Sequence, residues 1–355
     1  MKLTLDTLFG DPLIVKAVID RIQAQTQDPI YWKRYLDFEQ TISRTFKTYF
    51  GTQTGVTMGS VIDKNAGKPV RTRKSIGSGY GEVAILGDRF QLDNDRLDNL
   101  RVLIDKFNAQ NNVENINTIV NFIVDDYREL SLAPHKRMDK FLGDLRSTGK
   151  ASVTVADNKE GIILIETTLP VTKVTPGSGD KTSFIGYLKA QIASLRASKG
   201  TFSVMEMTQT TFNEYILKSS EFQSTYKMIL SQSEMALTSG LITPAMANSV
   251  LGGIGLPPIR IIEEYVHPQG SSTAVNTFAE KAITLLPQDK IGKMKFHTPY
   301  EITDPVPTKQ YTNLEGGMFI SSQRTDEGRF LEYGCEWMPE VTLPARMVIL
   351  DLKNF

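Results

Sequence analysis

Apolar positions in this chain change their spacing several times, and each change predicts a change of element. Asp11 followed by Pro12 reads as an N-cap with proline at the first helical position, and Ile14, Val15, Val18, Ile19 and Ile22 then share one face. A short amphipathic helix follows. Asp28-Pro29 gives a second start signal ahead of Tyr31, Tyr35, Phe38, Ile42 and Phe46, spaced four, three, four and four apart. That spacing predicts a helix with an aromatic stripe, and two apolar helices ahead of any evident domain predict an arm packed against something large. From Gly51 the texture turns to Gly, Thr, Ser and Val in alternation. It predicts a long β-hairpin turning at 63–67, its strands too polar on both faces to be central in a buried sheet.

Beyond Gly87 the helical period returns. Asp93 and Asn94 are capping candidates ahead of Leu97, Leu100, Ile104 and Phe107, and Ile116, Ile119, Val120, Ile123, Tyr127 and Leu130 continue the spacing. After Pro134 it resumes with Met138, Phe141, Leu142 and Leu145, which predicts one long helix kinked at the proline and ended by Ser147-Thr148-Gly149. Segments 150–155 and 161–168 alternate and predict a hairpin around Asp157-Asn158. The stretch 175–180, Thr-Pro-Gly-Ser-Gly-Asp, reads as a linker and a domain boundary. Past it the pattern predicts helices over 182–197, after Thr208, after Pro244 and near 274–280, with strands at 202–207, 259–263, 282–286 and 293–297. Strands at 318–323, 330–337 and 346–351 close the chain, so the fold class is α+β or α/β.

Composition narrows the chemistry. With 355 residues, 40% of them hydrophobic, the chain has enough apolar surface for a core. Cys335 is the one cysteine, which removes any disulfide framework or CxxC metal cluster, and three histidines (His135, His267, His297) leave little for a histidine-built metal site. Forty basic against forty acidic residues argue against nucleic-acid binding by bulk charge. Asp6 and Asp11 interrupt the apolar run a signal peptide needs, and no 18 apolar residues run together, so the reading is a soluble protein made in a cytoplasm.

Local charge is another matter. Lys64, Lys68, Arg71, Arg73 and Lys74 place five cations in eleven residues with no acidic one, a solvated loop or a surface for an anionic partner or an acidic neighbouring subunit. Gly77-Ser78-Gly79-Tyr80-Gly81 superficially resembles a phosphate loop, but it lacks the Walker lysine and runs into a strand rather than a helix. No GxSxG or HExxH occurs. Asp125-Asp126 and Glu263-Glu264 are adjacent pairs whose members point apart, which makes each pair a surface feature. Cys335 reads as a buried apolar thiol, and His267 and His297 as strand-end residues. Neither a catalytic constellation nor a cofactor site is expected.

The order of parts is an arm, a polar basic hairpin, a long helix, a second hairpin, an α/β insert and returning strands. That order resembles the major capsid proteins of tailed bacteriophages, the Hong Kong 97 fold, and more narrowly the lambda-type family. GDRFQLDNDRLDNL (87–100) is similar to the passage from that family's extended loop to its spine helix, and FLGDLRSTGKASV (141–153) to the end of that helix and its hairpin. VMEMTQTTFNEYI (204–216) and GRFLEYGCEWMPEVTLPARMVILD (328–351) resemble an axial-domain strand with its helix and the closing strands.

The resemblance implies a phage major capsid fold of class α+β with five parts. They are an N-terminal arm (1–50), an extended β-hairpin loop (51–92), a peripheral domain with spine helix (93–178), an axial domain (179–305) and C-terminal strands returning to the peripheral domain (306–355). It implies a non-enzymatic shell subunit, assembled in the bacterial cytoplasm and found in the virion, that forms hexamers and pentamers around double-stranded DNA. Expected partners are copies of itself, a separate scaffolding protein, a portal and a decoration protein, with packaged DNA on the inner face and no membrane. Inter-subunit contact candidates are Tyr31, Tyr35, Phe38, Phe46, Lys64, Lys68, Arg71, Arg73 and Lys74. Alternatives are a bacterial nanocompartment shell protein of the same fold, or an α/β enzyme with a pocket of convergent polar groups after residue 180.

Overall fold

The computed structural model describes residues 3–24, 29–51, 76–110, 113–154, 165–179, 181–230, 242–268 and 271–355. Helix α1 (Leu5–Gly10) starts at a capping box between Thr4 and Thr7, and α2 (Pro12–Ala24) follows where Asp11 Oδ1 accepts the Leu13 N–H at 2.9 Å. Strands β1 (Leu36–Gln40), β2 (Thr45–Gly51), β3 (Ile76–Glu82) and β4 (Ala84–Leu92) come next. Strands β2 and β3 pair, as a hairpin base requires; the turn at 63–67 lies outside the described residues. Asp93 caps α3 (Asn94–Gln110) by accepting the Arg96 N–H at 2.8 Å, and α4 (Val113–Thr148) carries Pro134 inside it. Gly149, at φ 75°, ends α4 in the left-handed region that glycine enters at no steric cost.

The remaining elements are β5 (Lys150–Val153), β6 (Ile165–Thr168), β7 (Thr172–Val174), α5 (Phe184–Lys199) and β8 (Val204–Met207). After a π-helical turn come α6 (Ser220–Leu230), α7 (Pro244–Gly253), β9 (Ile259–Ile261), β10 (Tyr265–Val266), β11 (Val275–Asn276) and β12 (Ala282–Leu286). The chain closes with β13 (Gly292–His297), β14 (Gln310–Asn313), β15 (Phe319–Thr325), β16 (Gly328–Val341) and β17 (Val348–Asp351).

Two compact units result. One comprises Met1–Phe46, Tyr80–Asp139 and Lys293–Glu340; the other comprises Lys47–Gly79, Lys140–Gly292 and Val341–Phe355. In the first, a sheet runs β1-β13-β16-β15-β14, with β4 also paired to β16 from Ala84–Trp337 to Leu92–Arg329. In the second, the order is β7-β17-β12-β8-β9, parallel at its two outer pairs and antiparallel inside. Helices α5, α6 and α7 pack their apolar faces (Phe184, Leu188, Phe222, Val250) into one core with Met205, Leu285 and Leu350 of that sheet. The 175–179 stretch, read as a linker, lies inside the second unit.

Three sequence expectations are corrected. The apolar spacing over 31–46 is not helical: residues 32–34 form one 3-10 turn, 36–40 are β1, 41–44 bend, and β2 begins at Thr45. Aromatic and β-branched residues favour strands, and the partner strand β13 decides between two periods that the same residues fit. The segment near 274–280 is β11 and turns, because the Asn276 side chain accepts the Phe278 N–H at 3.0 Å and donates to Ile262 O at 3.2 Å, competing with helical bonding. The arm expected to pack against something large is covered within its own chain, since Leu8, Phe9, Val15, Val18, Ile19 and Ile22 are buried in the first unit.

Candidate subunit-contact surfaces

The residues expected to meet a neighbour fall into three groups. Tyr35 is fully buried and Phe38 half-buried in the first unit. The Phe38 ring lies 4.9 Å from Trp32, 5.2 Å from Trp337 and 5.6 Å from Phe296, and it fills the space that a Cβ on Gly316 would occupy. Gly316 has φ 72°, so both its backbone and this close approach require glycine. Tyr35 is therefore core of its own chain, which corrects its assignment to a contact, while Phe38 packs into the same cluster and keeps partial exposure. Tyr31 and Phe46 keep partial exposure, Tyr31 beneath the Lys136 ammonium at 4.9 Å. Lys64, Lys68, Arg71, Arg73 and Lys74 lie outside the described residues.

Beneath the aromatic cluster sits a polar group that the spacing did not flag. Trp32 Nε1 donates to His135 Nδ1 at 3.1 Å, and the Trp32 backbone N–H donates to Asp139 Oδ1 at 2.7 Å. Burial, reinforced by the Lys33 and Lys136 charges, pushes the His135 pKa down to about 3, so the imidazole is a neutral acceptor at physiological pH. Nearby, Glu336 accepts from Arg44 at 2.6 Å and stands 2.7 Å from His297 Nδ1, a bonded histidine as its strand-end place suggested. Cys335 is buried, and desolvation raises its thiol well above the ordinary range, away from nucleophilic use. Asp125 is exposed, whereas Asp126 is half-buried against Arg96 at 2.8 Å.

In the second unit, Arg146 on α4 donates to Glu206 of β8 at 2.5 Å and to Glu264 at 2.8 Å. Arg146, Glu206 and Glu264 are all buried, with Arg260 reaching Glu206 from the rim at 3.2 Å and Thr277 donating to Glu264 at 3.1 Å. Glu263 stays exposed. The pair Glu263-Glu264 does point apart, but its second member points into the core, which corrects the surface reading. Sequence reasoning missed this cluster because its members are 60 and 118 residues from Arg146. With both carboxylates bonded to one guanidinium, the arrangement fixes the end of α4 against β8. It presents no open face to a substrate.

After residue 180, where an enzyme would need convergent polar groups, a groove is lined by Thr175, Ser178, Ser183, Tyr187, Gln191 and Phe355. Its polar side chains are hydroxyls and an amide, without a carboxylate, histidine or lysine. Among the described residues no group of three His, Cys, Asp or Glu side chains is placed to hold a metal, and no helix is long and apolar enough to cross a membrane.

No protein-family model matches the chain, and no curated sequence matches it. Solved structures do. A prophage protein of E. coli CFT073 designated a capsid protein matches over 99% of both chains at 10% identity with a TM-score of 0.54. The cyanophage A-1(L) capsid matches over 93% of this chain and 95% of its own, at 9% identity and a TM-score of 0.50. A phage-related protein of Bordetella bronchiseptica RB50 matches over 98% of both, at 10% identity and a TM-score of 0.48. The resemblance to phage capsid proteins read from the sequence therefore holds at the level of fold, a mixed helix and sheet architecture along nearly the full chain.

Proposed function

We propose that this chain is the major structural subunit of a tailed-phage shell, assembling as hexamers and pentamers around double-stranded DNA. One observation carries the reading: the fold of a prophage capsid protein is matched over 99% of both chains at a TM-score of 0.54. The buried chemistry fits a subunit that works by tiling. Arg146, His135 and Cys335 are all spent inside the protein. Function then lies in surfaces that other copies cover.

The basic segment carrying Lys64, Lys68, Arg71, Arg73 and Lys74 acts at a subunit contact, on an acidic surface of an adjacent copy that includes Asp125 and Glu129. Both carboxylates are exposed on α4, while Asp126 is engaged by Arg96. A scaffolding protein, a portal and a decoration protein complete the expected partners, and the packaged DNA lies on the inner face. Electron microscopy of the purified protein, with and without co-expressed scaffold, tests the reading. Closed shells of regular size support it; a stable monomer under all conditions sinks it, and shells that enclose a cargo enzyme instead of DNA favour a nanocompartment.

A further inference from the structure

The neutral chain is not neutral in its parts. Lys and Arg number 22 against 15 Asp and Glu in the second unit, a net +7, and 18 against 25 in the first, a net −7. Residues 47–79 account for five of the seven positive charges, and the rest concentrates around α5. From 181 to 205 there are four cations (Lys181, Lys189, Arg196, Lys199) and no acidic residue. Lys181 is paired with Glu214. The other three follow one stripe of α5 at i, i+7 and i+10, and Arg346 joins them where its Nε donates to Lys199 O at 3.3 Å. Beside the stripe, Ala190, Ala193 and Ala197 are exposed and small, so a partner's side chains can reach the cations without obstruction.

Part of this charge has a local role. Arg196 and Lys199 stand in the last turn, where cations suit the helix dipole, and they donate to Gly255 O and Ala345 O. Each uses one of several donors in doing so, and among the described residues none of Lys189, Arg196, Lys199 and Arg346 has a carboxylate within ion-pair distance. The first unit carries the counterpart. Asp93 and Asp95 at the start of α3 and Asp326 and Glu327 in the β15–β16 turn are all exposed. They are neighbours, because Gly328 packs on Leu92 O and Asp93 Cα, and Gln91 Nε2 donates to Glu327 O at 3.1 Å. None of these four has a cationic side chain within ion-pair distance among the described residues. The dipole accounts for Asp93 and Asp95, not for Asp326, Glu327 or Lys189.

We infer that the basic stripe of α5 with Arg346 docks on the Asp93, Asp95, Asp326 and Glu327 patch of a second copy of this chain, a head-to-tail contact distinct from that of segment 64–74. It rests on the shell-subunit reading above, and its occupant is chosen by complementarity: among the described residues, four cations without a carboxylate partner on one unit, and on the other four carboxylates without a cationic partner, Arg324 beside them being bonded to Asn94 at 3.2 Å. Made head to tail, such a contact is heterologous, and it generates a ring where the rotation between copies closes.

The test is a charge swap read by shell yield and sedimentation at low and high salt, with folding checked by thermal melts. Lys189→Glu with Arg196→Glu, and separately Asp326→Lys with Glu327→Lys, should each lower the low-salt yield by about tenfold or more, and combining all four should restore most of it. Lys189→Glu alone, at a side chain with no described internal bond, keeps the test valid if Arg196→Glu disturbs folding. Yields unchanged by either reversal, or losses that the combined variant does not recover, overturn the contact. So does normal assembly of K189E/R196E shells that fail to retain duplex DNA, which would assign the stripe to nucleic acid. Failure of the wild-type chain to form shells would instead strike the shell-subunit reading itself.

Discussion

Each unit buries a polar centre with its own vulnerability. In the first, beside the buried Asp139 carboxylate, His135 is held uncharged as an acceptor for Trp32 inside an aromatic cluster of Trp32, Phe38 and Trp337. The second encloses full charges, Arg146 between Glu206 and Glu264. A neutral imidazole in an apolar setting costs little as long as it stays neutral, so the first unit is exposed to acid. An ion cluster costs desolvation whatever the pH and is tolerated only while every member keeps its partner, so the second unit is exposed to substitution. The His135 centre carries a condition on its solvent; the Arg146 centre carries a condition on its sequence.

That contrast can be broken most forcefully at Arg146. Arg146→Ala leaves two carboxylates buried without their cation and should destabilise the second unit by about 3–5 kcal/mol in denaturant melts. A loss below about 1 kcal/mol would mean the cluster is not what holds α4 to β8. Next in size is Tyr35→Ser, which should cost about 3–4 kcal/mol and unfold the first unit rather than merely block assembly. A folded, assembly-defective variant would return Tyr35 to the subunit contact.

The pH arm comes third. His135 has a folded pKa of about 3 against an ordinary 6.5, so its contribution to stability is complete above about 6.5 and is lost as pH falls towards 3, with a slope of up to about 1.4 kcal/mol per pH unit. Denaturant midpoints measured between pH 7 and pH 4 should fall for the wild type and fall less for His135→Gln, which keeps an acceptor for Trp32. Parallel slopes for the two proteins would remove histidine from the account. The smallest effect is assigned to Lys33→Ala. Its ion pair with Glu315 at 2.7 Å is solvent-exposed, and the change should cost no more than about 0.5 kcal/mol at low salt.

Much of this architecture is legible in the sequence because local and tertiary demands agree there. Asp11-Pro12, Asp93 and Gly149 mark real helix ends, and the apolar series through Pro134 to Leu145 is one continuous helix. Ala282–Leu286 is a strand over the residues its pattern predicts. Legibility fails where a tertiary partner arbitrates. Residues 36–50 fit a helical stripe and a strand alternation equally, and only pairing in the folded chain selects the second. The ion cluster fails for another reason: Arg146, Glu206 and Glu264 each look like ordinary surface charge in their own windows, and only the fold brings them together. The contact surfaces inherit both problems, since an aromatic stripe signals burial without saying whether the same chain or a neighbour supplies it.

The order of the strands sets a timetable for synthesis. The sheet of the first unit places β16, residues 328–341, between β13 and β15 and beside β4, so β4 has no partner until β16 has been made. The sheet of the second unit has the same dependence on β17, which joins β7 to β12. Neither sheet is complete before these late strands are made, and most β pairing is of high sequence separation, which slows folding and leaves apolar strands exposed in the meantime. Each sheet reaches its complete form only after its latest strand, β16 or β17, has joined it.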